Sequence, residues 1–71
     1  MYPKPDYTYR IDDTDPNGQV IGTASVGAVE GNTVWQIKKV SVVGVITTVK
    51  YALGNNKFDK SWTGRGALVY L

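Results

Sequence analysis

The chain has 71 residues, room for one domain, and at this size folding buries only about 60% of the unfolded surface. It contains no cysteine and no histidine. That excludes a disulfide staple, a thiolate metal site, and the side chain most used for acid–base chemistry and metal ligation. The net charge of +2 is too small to imply a polyanionic partner by itself, but it is unevenly spread. Residues 1–30 carry two basic and five acidic side chains, whereas residues 31–71 carry six basic and one acidic. Halves of opposite sign suit pairing within the chain or complementary contacts between subunits.

Residues 1–6 hold Pro3 and Pro5, which restrict their own φ and push the preceding residues toward extended geometry, so an arm is expected here. The same stretch lacks the apolar core of a secretory signal peptide. Residues 7–71 form the single domain. Tyr7, Tyr9 and Ile11 alternate with Thr8 and Arg10, the period of a first strand. Residues 12–18, DDTDPNG, are a dense turn signal, and 19–23 can return as a second strand. Residues 24–32 are Gly- and Ala-rich and read as loop, with a short strand near 25–27.

Residues 34–53, VWQIKKVSVVGVITTVKYAL, are the longest apolar-rich run. Lys38, Lys39 and Lys50 inside it rule out a membrane span. Its dense Val, Ile and Thr content opposes a helix, because β-branched side chains lose χ1 freedom there. Two strands are expected, 34–42 and 46–53, turning near Gly44. Trp35 and Ile37 share one face, while Val40 and Val42 share the other. Either a β-bulge near Lys38-Lys39 restores the phase, or both faces are covered. In the connection 54–66, Phe58 and Trp62 are four apart. One helical turn, capped by Asn56, would place both on one side as a plug over the sheet. Residues 67–70 read as a last short strand. The expectation is all-β: a small barrel or sandwich of about five short antiparallel strands, with a Gly/Asn-rich loop carrying one helical turn. Trp35, Ile37, Phe58 and Trp62 are the expected core.

Few residues suggest chemistry. Asp13, Asp15 and Asn17 match the opening of a calcium loop, but its twelfth position is Ala24, where a bidentate Glu is needed, and no helix pattern flanks it. A hairpin turn accounts for the same residues. Ser25, Ser41 and Ser61 have no His partner, and neither a phosphate-binding nor a dinucleotide-binding glycine motif is present. No enzymatic activity and no cofactor are expected. Lys38, Lys39, Lys57, Lys60 and Arg65, interleaved with Trp35, Tyr51, Phe58 and Trp62, form a possible basic contact surface. Single-strand nucleic-acid binders combine such charges with aromatic stacking platforms. The same aromatics are also the obvious core, and exposure of Trp35 and Trp62 discriminates the two.

The order of signals resembles a group of small proteins of tailed bacteriophages. The matching residues are Tyr7-Thr8-Tyr9-Arg10-Ile11-Asp12-Asp13, then Ile21-Gly22 with Ala24 and Gly27, then Val34-Trp35 with Ile37-Lys38-Lys39. Ala52, Gly54-Asn55, Phe58-Asp59, Trp62, Arg65 and Leu68 follow. Lys57, Lys60, Gly64 and Gly66 depart from the more acidic, less Gly-rich pattern of similar sequences in that region. The resemblance implies a non-enzymatic virion structural protein, either a capsid decoration or a tail or baseplate accessory. Such a protein would be made in the bacterial host cytoplasm and would act in the virion by self-association and docking on other virion proteins. The expected assembly is a homo-oligomer, with a trimer as the first symmetry to test. A single-stranded nucleic-acid-binding module and a small host-directed protein inhibitor are the alternatives.

Overall fold

The alternating residues near the start and the β-branched run in the middle form four strands in the computed structural model, which describes residues 6–71. They are β1 (Tyr7–Asp12), β2 (Gly18–Ser25), β3 (Thr33–Val43) and β4 (Ile46–Tyr51). Each pairs antiparallel with the next, giving a meander in the order β1-β2-β3-β4. A two-residue strand, β5 (Lys60–Ser61), adds to β3 opposite Thr33 and Trp35. A 3-10 turn at Arg65–Ala67 is the one helical element among the described residues. The fold is all-β, and the sheet stays open rather than closing into a barrel. No helix among the described residues is long and apolar enough to cross a membrane.

The turns follow from their residues. Asp12 Oδ1 accepts the Thr14 amide at 3.0 Å, and Asp15 Oδ1 accepts the Asn17 amide at 2.8 Å, so two side chains hold the backbone of the β1–β2 turn. The β3–β4 hairpin closes through Gly44-Val45. Gly44 has φ +61° and Val45 does not share the positive φ, the pattern of a two-residue turn that needs glycine first.

Of the two alternatives for the phase break on β3, the bulge at Lys38-Lys39 is absent. Both residues pair in unbroken register, with Ile21 and Val20 on one side and with Tyr51 and Lys50 on the other. The two faces of β3 are therefore distinct along its whole length. One face carries Trp35 and Ile37, then Lys39 and Ser41. The other carries Gln36, Lys38, Val40 and Val42. Three further expectations are corrected. No helical turn forms between residues 56 and 62. Residues 67–70 make no strand, only a single bridge from Tyr70 to Ala52. Residues 25–27 form no separate strand, because β2 runs on through Ser25. Apart from Asp6, the expected arm lies outside the described residues.

The chain after β4 covers one face. Trp62 lies against Trp35 with ring centroids 6.0 Å apart, and Ala24, Ile37 and Ala52 complete the buried core. Trp62 can approach this closely because Gly22 lies beneath it. A Cβ at Gly22 would stand 2.6 Å from Trp62 Cε3 and 3.1 Å from Trp35 Cε3. Phe58, expected to join this core, is instead 45% exposed and stacks on Tyr7 at 6.1 Å. Phe58 and Trp62 part company because residues 54–59 run extended and looped rather than helical, so a spacing of four brings them to no common side.

Candidate interaction surface

Most of the polar side chains that could carry chemistry are spent on holding the covering segment down. Arg65 lies over the Trp62 ring, with Cζ 4.3 Å from its centroid. Its Nε donates to Asp12 Oδ2 at 3.0 Å and its Nη1 to the Trp62 carbonyl at 3.0 Å, while Tyr70 donates its hydroxyl to the Arg65 carbonyl at 2.9 Å. Arg10 repeats the arrangement below, 5.6 Å from the Trp35 ring and donating to Glu30 Oε2 at 2.8 Å. Asp12 is pulled down from 3.8 to about 2, first by the Thr14 hydroxyl and amide and then by Arg65. Burial raises the Tyr70 phenol above its ordinary value, so it stays a donor.

The expected basic contact surface is not one surface. Lys60 is buried, its ammonium held by Asn55 Oδ1 and by Asp59 at 2.6 Å. Arg65 is occupied as described. Lys38 and Lys39 project from opposite faces of β3, as neighbours on a strand must. Lys57 is exposed in the loop. Trp35 and Trp62 are buried, which removes both as stacking platforms for single-stranded nucleic acid. Asp15 serves the Asn17 amide and stands 3.9 Å from Lys39 Nζ, so the residues of the calcium motif act within the turn. Among the described residues no three acidic side chains converge as metal ligands.

What remains is the second face of the sheet. Residues directly opposite in an antiparallel pair share a face, so the register assigns it. Tyr9 lies beside Thr23, and Thr23 beside Gln36. Ile11 lies beside Ile21, then Lys38, then Tyr51. Val40 lies beside Val49, and Val42 beside Thr47. Residues 55–58 cross only its lower end, where Gln36 Nε2 donates to the Asn56 carbonyl at 2.9 Å and Phe58 meets Tyr7. The upper part is uncovered: Tyr9, Ile11, Val42 and Val49 are all at least 47% exposed, and Ile21, Val40 and Tyr51 are half-buried. Its strand positions include no carboxylate and one cation, Lys38, whose ammonium lies 6.0 Å from the Tyr51 ring centroid. At its upper rim a trough of 520 Å³ runs between Val40 and Val42 on one side and Asp13 and Asp15 on the other.

Apart from Lys38 and Tyr51, the residues of this surface were not singled out as a site by their sequence pattern. Alternation shows that Tyr7, Tyr9 and Ile11 share a face, but not which face the rest of the chain covers. The signal that does find the surface is the phase break on β3, where the apolar positions change sides between Ile37 and Val40. Comparison with family models, with curated proteins and with solved structures finds no match to this chain.

Proposed function

We propose that the protein is a non-enzymatic structural component of a bacteriophage virion that self-associates through the open sheet face. One observation carries the self-association: a small sheet commits its folding residues to one face and leaves the upper part of the other apolar and uncovered by any other described segment. Patches of this kind on soluble proteins mark contact sites. Charge favours a second copy as the occupant. The face has Lys38 at mid-height and Asp13 and Asp15 at its rim, so the acidic rim of one copy can meet the Lys38 of the next. The outer strands β1 and β4 add unpaired backbone groups at the sheet edges, which further extend the contact. The expected assembly is a homo-oligomer, with the trimer as the first symmetry to test.

The virion role rests on the resemblance to small tailed-phage proteins, together with a fold whose polar groups serve structure. Its docking partners would be other virion proteins. Fractionation of purified particles tests it: the chain should band with intact virions at a fixed copy number and resist washing in moderate salt. Recovery only in the soluble lysate, with particles lacking it, would contradict the virion role while leaving the self-association to be judged by its own measurement.

A further inference from the structure

On the covered face, above the reach of Trp62, the sheet is bare again and its character changes. Lys39 and Lys50 are direct cross-strand partners there, and Ser41 and Thr48 are the next facing pair. Like charges directly opposite on a sheet repel, and their Cβ atoms stand only about 5 Å apart. Together with Val43 and Tyr70 these four residues line a trough of 410 Å³ that contains no carboxylate. Lys50 has no ion pair with any described residue. Lys39 has only Asp15, at 3.9 Å, beyond hydrogen-bond reach. Tyr70 forms one wall, 6.0 Å from the Lys39 ammonium, and its hydroxyl is turned away to Arg65. The Ser41 and Thr48 hydroxyls make no hydrogen bond within the described residues and are free to donate.

We infer that this trough binds a single phosphate group. Two ammonium groups on facing strands match the charge of one phosphate dianion. Two hydroxyls one strand row away, about 7 Å along, supply neutral donors to its remaining oxygens. Bound there, the anion replaces the repulsion between Lys39 and Lys50 with two attractions. The site is independent of the open face, since Lys39 and Lys50 project to the other side of the sheet from Lys38. It suits an isolated phosphate group rather than a nucleic-acid backbone. The trough ends at Val43 and Tyr70, and among the described residues its lining holds no third cation.

Titration with inorganic phosphate at constant ionic strength, followed by thermal melting and by backbone amide NMR shifts, tests the inference. Wild-type protein should show saturable shifts centred on residues 39–41 and 48–50, with a rise in melting temperature that acetate does not reproduce. Lys50→Gln should weaken phosphate binding at least tenfold, yet melt at the same or a higher temperature in phosphate-free buffer because the cross-strand repulsion is gone. Lys57→Gln, in the exposed loop and outside the trough lining, should bind phosphate as the wild type does. Equal loss in both variants would reduce the effect to general charge and overturn the site, as would a linear, unsaturable response. A short single-stranded oligodeoxynucleotide is the second probe. Binding tighter than phosphate, with a salt slope well above the two counterions released by two lysines, would replace the isolated site with a nucleic-acid groove.

Discussion

The two faces of one sheet divide the work of this chain. The covered face stacks two tryptophans over a glycine and clamps the covering segment with Arg65, Asp12 and Tyr70. The open face has comparable apolar content from Ile, Val and Tyr, but no segment among the described residues lies on its upper part. The twenty residues described after β4 reach around one end of the open face and then roof the other. A strand with one buried and one wet face would alternate apolar with polar residues along its whole length. This one switches its apolar residues from one side to the other.

The largest test of that contrast is Trp62→Ala. It removes the roof of the covered face and should cost about 3–5 kcal/mol, the range for truncating a buried large aromatic. Chemical denaturation measures it, and a loss under about 1 kcal/mol would mean Trp62 is not the keystone of that face. Gly22→Ala comes next. The added methyl meets two rigid indoles, and overpacking of this kind costs about 1–3 kcal/mol. A neutral Gly22→Ala would show that the Trp62 ring has room to shift.

Acid sharpens the comparison further, because the Asp12–Arg65 pair belongs to the covered face alone. The carboxyl of Asp12 has a folded pKa of about 2 against an ordinary 3.8. A carboxyl depressed on folding stabilises fully above its unfolded value and loses that contribution as pH falls toward its folded one. Melting temperature should therefore decline as pH drops through 3.8 toward about 2. In Asp12→Asn that part of the decline should be missing, leaving a lower but flatter profile. Parallel profiles for the two proteins would show that Asp12 does not hold the segment.

Much of the strand layout could be read from residue patterns. The Tyr7–Ile11 alternation, the DDTDPNG turn and the β-branched run around Gly44 each rest on local preference, and the observed strands fall within a few residues of the expected ones. The loop after β4 could not be read this way. A spacing of four between Phe58 and Trp62 suits a helix, but the loop follows tertiary contacts. Asn56 is taken by Gln36, and Lys60 is held by Asn55 and Asp59. Those contacts place Lys60 in the interior, and strand alternation sends Lys38 and Lys39 to opposite faces, so five basic residues that look like one surface in sequence divide among two faces, a loop and the interior. The open face was half legible. The phase switch on β3 marked it, whereas a bulge at Lys38-Lys39, one of the two alternatives, would have erased it.

Sedimentation equilibrium near micromolar concentration tests the central claim most directly. It should be run on the wild type and on a variant carrying Ile11→Glu and Val49→Glu, two exposed positions at opposite sides of the open face. The wild type should sediment as an oligomer of two or more 7.8 kDa copies. The variant, with an unchanged far-ultraviolet dichroism spectrum, should sediment as the 7.8 kDa monomer, because the carboxylates charge only the uncovered face. A wild type that is a cooperatively melting 7.8 kDa monomer, or a variant that remains fully associated, would contradict the account.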